Sequence, residues 1–513
     1  MPQGTARTRR KSAVDEQFWI LVPVAAYLAL SFAVALWAQR RAARPASSRG
    51  FIEDYFIGGR SMGGFVLAMS IIASYASASS FVGGPGVAYA LGLSWVLLAM
   101  IQVPTAFLTL GVLGKRFAIM ARRTGAVTIT DFLRARYGSE AVVLLCSMAL
   151  LVFFMAAMLA QFIGGARLFQ AVTGYPYMAG LALFGISVVL YTAVGGFRAV
   201  AITDAVQGVV MVAASVVVLL AVVHAGGGME QCVQKLKAID PGLITPTGPG
   251  NAVPQPFILS FWILVGLGIL GLPQTAQKCM GYKDSRSMHD AMLMGTLIIG
   301  FMLLCAHLSG TLGRAVLPDL PSGDLAMPTL IVRLLPPFWA GVFIAGPLAA
   351  IMSTVDSMLL LASAAIVKDL YLHYRHQGDP ARMTPESLRR MSLASTAAVG
   401  LLVFLAAIQP PDLLVWINLF AFGGLEAVFL WPIILGLYWK GANAGGAVAS
   451  ILAGVGVFFF LSIVKPPLGG LHAIVPTLVI SGLAFLVGAK LSRPAPAKAV
   501  RMLRSGGEHG SGR

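Results

Sequence analysis

Charge is scarce in this chain. Of 513 residues only 11% are charged, with 20 Asp and Glu against 37 Lys and Arg, too few to coat a water-facing surface of that size. A soluble enzyme is thereby excluded. Cysteine is equally sparse. Cys146, Cys232, Cys279 and Cys305 lie far apart without CxxC or histidine spacing, so they imply neither a disulfide framework nor a zinc site and read as packing residues. No basic block carries interleaved aromatics, so the net charge of +17 does not signal a nucleic-acid partner. The cations sit instead in short segments between apolar runs, where they set membrane orientation.

What the chain has in abundance is apolar sequence: 58% of residues are hydrophobic and the mean hydropathy is +0.82. With about 20 apolar residues per crossing, a chain of this length reads as an all-α membrane protein of about 13 spans, its main partner being the lipid bilayer. They fall near 18–38, 63–88, 90–114, 140–168, 175–195, 198–223, 256–277, 288–313, 336–370, 390–408, 412–438, 443–464 and 472–491. The first is long enough to cross and is followed by no small-residue cleavage site, so it is expected to stay in the mature protein. An odd count puts the termini on opposite sides. Arg40, Arg41, Arg44, Arg49 and Arg60, the Lys115–Arg136 group and the clusters at 278–286 and 368–390 place the C-terminus in the cytoplasm and the N-terminus outside. Residues 1–17 and 493–513 read as polar tails, and the Gly- and Pro-rich stretch 224–255 as a surface connection.

The apolar pattern fails in informative places. Ser70, Ser74, Ser77, Ser79 and Ser80 crowd the second span, followed by Gly83, Gly84, Pro85 and Gly86. These are poor helix supports at mid-membrane depth, and a discontinuous helix is expected. Carbonyls freed by such a break ligate hard cations, although small residues also serve tight helix packing. In the ninth span, Ser353 and Thr354 interrupt an apolar helix with neutral oxygens. Back-bonding to helix carbonyls is the bland reading for either one. Three acids, Asp204, Asp356 and Glu426, lie well inside spans, where a carboxylate is costly and therefore a functional candidate. Asp204 fits either a cation path or a structural pair with Arg198. Asp356, one turn after Ser353, shares its face.

These segments resemble the sodium:solute symporter family. The resemblance is carried by Asp54-Tyr55-Phe56-Ile57-Gly58-Gly59-Arg60, Ser77-Ala78-Ser79-Ser80-Phe81-Val82-Gly83-Gly84-Pro85-Gly86, and Gly195-Gly196-Phe197-Arg198-Ala199 leading to Thr203-Asp204-Ala205-Val206-Gln207. Ala350-Ile351-Met352-Ser353-Thr354 and Phe422-Gly423-Gly424-Leu425-Glu426 complete it. It implies two inverted five-helix repeats of the leucine-transporter type, approximately 63–223 and 256–438, within one transmembrane domain 18–492 and with peripheral helices around them. It also implies alternating-access, sodium-coupled import of pantothenate or a similar small carboxylate across the bacterial inner membrane, proline being the next candidate. No enzymatic activity, organic cofactor or obligate protein partner is implied. The sodium ligands implied are Ala73, Ala76, Ala350, Ser353 and Thr354, with Asp204, Gln207 and Asp356 as coupling or gating residues. Where relatives carry Gly-Gln-Pro-His, this chain reads Gly271-Leu272-Pro273-Gln274. Tyr75, Ser79, Ser80, Gln274 and Thr275 are the substrate candidates, chosen for hydrogen-bonding capacity near helix breaks. A membrane-embedded sensor is the reading from another class; no signalling module fits the short tails.

Overall fold

In hydrocarbon a span must pair its backbone N–H and C=O groups within itself, which makes apolar runs helical. The computed structural model describes residues 3–41, 47–410 and 414–495, and among these the only β-type contact is a bridge between Met62 and Tyr282. The helices that frame the site are α1 (Gln3–Arg41), α2 (Gly64–Tyr75), α3 (Ser79–Leu91), α4 (Leu93–Thr124), α5 (Ile129–Tyr137), α6 (Glu140–Thr173), α7 (Tyr177–Ala193) and α8 (Val200–Gly226). After them come α9 (Gln255–Gly271), α10 (Pro273–Lys278), α11 (Ser285–Val316), α12 (Pro337–His376), α13 (Pro385–Ala406), α14 (Val415–Tyr438), α15 (Ala444–Val464) and α16 (Ile474–Leu491).

Ten of these are long and apolar enough to cross a membrane, and α2 with α3, bent by 73°, makes an eleventh span. The expected thirteen are not all matched: near 175–195 and 256–277 stand the shorter helices α7 and α9. Each is cut short by its own sequence. Gly196 leaves the helical region at φ 64° and so separates α7 from α8, and a Cβ there would stand 2.8 Å from the Tyr55 ring. The Gly268–Gly271 turn is tightened to 3₁₀ geometry, Leu272 is extended, and Pro273 restarts the chain as α10.

The apolar part of α1 is Gln17–Trp37, close to the expected 18–38, and its helix runs back to Gln3. Two expectations need correction. The stretch 224–255 is more than a connection: Met229–Ile239 is helical, with Cys232 and Leu236 buried, and Leu243 backs onto Gly92, whose φ of 71° no side chain would favour. Lys278, grouped with the cytoplasmic loop cations, is buried. Residues 496–513 and the Arg198 side chain lie outside what is described. All four cysteines are free and buried.

Packing places the polar segments together. In α12, 94% of the most apolar window is buried, against 28% in α15, so α12 is an interior helix and α15 a peripheral one. The α12 helix packs on α1, α2, α6 and α8, while α2 lies between α8 and α11. Ser353, Thr354 and Asp356 are thereby buried against protein rather than lipid.

Candidate functional site

The break between α2 and α3 is made by its serines. Ser77 N–H, which an unbroken helix would give to the Ala73 carbonyl, faces Ser80 Oγ at 3.3 Å. Ser79 N–H bonds Ser77 Oγ at 3.2 Å. Ser80 N–H, which would reach Ala76, bonds the Ser77 carbonyl at 2.9 Å. Short hydroxyl side chains compete in this way for backbone groups, and Ala76 is extended at ψ 134°. The Ala73 and Ala76 carbonyls are left to other partners.

Those partners are on α12. Ser353 Oγ donates to the Ala73 carbonyl at 2.8 Å and Thr354 Oγ1 to the Ala76 carbonyl at 2.6 Å. Both hydroxyls also lie within bonding distance of the Ala350 carbonyl, at 3.2 and 2.9 Å. Five neutral oxygens from two helices thus converge, all on buried residues. Hydroxyl hydrogens rotate freely, so both hydroxyl lone pairs can turn toward a cation that the carbonyls also face. Such a set suits a hard monovalent cation.

Gln161 of α6 secures the break. Its Oε1 accepts the Ala78 N–H at 2.7 Å, and its Nε2 donates to Asn418 Oδ1 of α14 at 3.2 Å. Gln161→Leu leaves a buried N–H unpaired, at a cost of about 1–3 kcal/mol. The expected result is a melting temperature a few degrees lower in the purified protein, with Gln161→Glu closer to wild type because it keeps the acceptor.

On the other side of the break lies a cavity of about 510 Å³ lined by Tyr75, Ser77, Ser79, Ser80, Gly84, Trp95, Ala99, Gln102, Phe261, Val265, His307, Val415, Asn418, Leu419 and Phe422. Aromatic walls, hydroxyls and amides line it, with no Lys, Arg, Asp or Glu among them. Of the substrate candidates, Tyr75, Ser79 and Ser80 line this cavity together. Gln274 does not join them: it lines a separate pocket of about 220 Å³ with Lys278 and Ser357. Thr275 Oγ1 is turned to the Leu272 carbonyl at 3.0 Å. Gln102, His307, Asn418 and Gln161 are the residues that sequence reading missed. Each is a polar side chain inside an apolar helix, the same signal that singled out the acids.

The three acids part company. Asp204 Oδ2 accepts from Ser70 Oγ at 2.6 Å and from Lys278 Nζ at 3.1 Å, so Lys278 is its ionic partner. Asp356 Oδ2 accepts from Tyr191 Oη of α7 at 2.7 Å, while the neighbouring Ser357 Oγ lies 3.0 Å from Ser74 Oγ. Asp356 therefore faces α7 rather than the five-oxygen cluster. Gln207 is buried near Tyr27. Glu426 sits against the α9 turn, where a Cβ on Gly268 would come within 2.3 Å of its Oε2.

A helical membrane protein with a broken span facing a Ser-Thr pair, and with a cavity lined by hydroxyls, amides and aromatic rings beside the break, defines an ion-coupled secondary transporter. Residues 55–454 match the sodium:solute symporter family, and the chain belongs to that family. It is 51% identical over 481 residues to the sodium/pantothenate symporter of Escherichia coli K12, covering 94% of this chain and 98% of that one. It is 48% identical over 472 residues to the sodium/pantothenate symporter of Haemophilus influenzae, with 92% and 96% covered. Among solved structures, a sodium-coupled sialic acid symporter in its substrate-bound outward-open state aligns with a TM-score of 0.74 at 19% identity, over 93% of this chain and 99% of that chain. A likeness at that identity speaks to the fold, which is the leucine-transporter-like one expected.

Proposed function

We propose that this multi-pass membrane protein imports pantothenate across the bacterial cytoplasmic membrane together with sodium, by alternating access. The observation that carries the ion is the convergence of the Ala73, Ala76 and Ala350 carbonyls with the Ser353 and Thr354 hydroxyls. The solute is supported by the likeness to two sodium/pantothenate symporters over most of both chains. Pantothenate carries an amide, two hydroxyls and a carboxylate. The cavity's serines, Gln102 and Asn418 match the neutral groups, and the start of α3 offers the positive end of a helix dipole to the carboxylate. The repeats 63–223 and 256–438 would rock about the break, with the N-terminus outside and the C-terminus in the cytoplasm. Uptake of labelled pantothenate into proteoliposomes, challenged by excess unlabelled pantothenate, proline and other small carboxylates, tests the solute. Only pantothenate and close analogues should compete; block by proline at equal concentration would reassign it.

Charge sets the expected response to voltage. Pantothenate is a monoanion at neutral pH, so transport with one sodium moves no net charge. A membrane potential, worth about 2.3 kcal/mol per charge per 100 mV, should then leave final accumulation unchanged. Potassium-loaded vesicles with valinomycin check this. Greater accumulation at an inside-negative potential would mean more than one sodium per solute.

A further inference from the structure

Lys278 closes α10 just after the second broken helix, yet its side chain is 2% exposed. Its ammonium reaches Ser70 Oγ at 2.8 Å and Asp204 Oδ2 at 3.1 Å, and the Phe197 ring centroid lies 4.9 Å away. Ser70 Oγ donates to the same carboxylate oxygen, so ammonium, hydroxyl and carboxylate form a closed triangle. Ser70 precedes Ala73 by three residues on α2 and so shares its face. At 1.5 Å per residue the triangle stands roughly 4.5 Å along the helix from the first oxygen of the proposed sodium site.

Without the ammonium, the remaining groups would be a cation site. Asp204 Oδ1 is buried with no hydrogen-bond partner among the described residues, as is Asp356 Oδ1. Asp356 is within electrostatic reach of both Asp204 and Lys278. The Ser74 and Ser357 hydroxyls lie 3.0 Å apart on the same two helices that carry the five-oxygen site. Carboxylate and hydroxyl oxygens are the donors that hard cations prefer. A lysine ammonium is a compact point charge with three donors, and its covalent tether keeps it present at every sodium concentration.

We propose that the Lys278 ammonium is a built-in cation: it holds the place at which Asp204 would otherwise bind a second sodium ion, and so limits the protein to one sodium per cycle. The inference rests on the sodium-coupled reading above and adds the residue that sets its stoichiometry. A second ion entering beside the ammonium would meet its repulsion at close range in a buried site, where screening is weak.

Equilibrium binding of radiolabelled sodium to the purified full-length protein tests this without any solute. Wild type is expected to bind one sodium, Lys278→Met two, and the Asp204→Asn, Lys278→Met double variant one again. By linkage, the melting temperature of Lys278→Met should keep climbing with sodium beyond the concentration that saturates wild type. Two ions bound to wild type, or a single ion bound to Lys278→Met, would overturn the proposal. If the single variant cannot be purified, the charge-balanced double variant still decides: it should bind one sodium within about threefold of wild-type affinity, and loss of that ion would make Asp204 a sodium ligand in its own right. Wild type binding no sodium would overturn the sodium-coupled reading and this inference with it, whereas one ion in both wild type and Lys278→Met would overturn this inference alone.

Discussion

Proteoliposomes carrying the Ser353→Ala, Thr354→Ala double variant are expected to need on the order of a hundredfold more sodium for half-maximal uptake than wild type. Each hydroxyl is one of five oxygens in the cluster, and losing a neutral ligand to a charged group costs about 1.5 kcal/mol or more, roughly tenfold in affinity. The buried cluster supplies no substitute, since alanine has no acceptor. The single variants should each shift sodium dependence about tenfold by the same reckoning. Solute affinity at saturating sodium should change less, because the cavity-lining serines and amides are untouched. An unchanged sodium dependence in properly inserted protein would remove these two residues from the site.

Asp204→Asn should have an effect of comparable size but of another kind. The substitution keeps the shape of the side chain and strands the Lys278 ammonium in a buried site, and breaking a buried pair in this way costs about 3–5 kcal/mol. The expected result is a sharp fall in inserted, monodisperse protein and in its melting temperature, with uptake falling at least in proportion. Adding Lys278→Met to Asp204→Asn should restore much of the protein level, since no uncompensated charge is left. A double variant as unstable as the single one would show that Asp204 acts through Ser70 rather than through Lys278.

The parts of the site that were legible in the sequence are those where a local rule fails visibly. Five serines in eleven residues cannot sustain a mid-membrane helix, and the bonds of Ser77 and Ser80 to backbone N–H groups show why. Ser353 and Thr354 stood out against apolar neighbours. What stayed hidden depends on contacts between distant segments. Lys278 lies 74 positions from Asp204, and a lysine at the end of an apolar run looks the same in sequence whether it meets water or a buried acid. Gln274 and Thr275 were placed by proximity to a break, but the turn at Gly271 and Leu272 directs them away from the cavity. His307 and Gln102 sit inside apolar runs as visibly as Asp204 does, but a neutral polar side chain costs less to bury than a carboxylate and so marks a site less sharply. Two of the expected spans are shorter as helices for a related reason: a hydropathy run does not reveal where a glycine such as Gly196 ends the helix early.

Sodium moving down its gradient drives pantothenate uphill through this protein. The most direct measurement is the accumulation of labelled pantothenate in proteoliposomes under an inward sodium gradient of about tenfold, compared with equal sodium on both sides and with potassium replacing sodium. Because a tenfold gradient supplies about 1.4 kcal/mol per ion, the account predicts transient accumulation approaching tenfold with the gradient and none above the outside concentration without it. Equal accumulation in all three conditions, or a sodium gradient that drives another solute and leaves pantothenate outside, would contradict it.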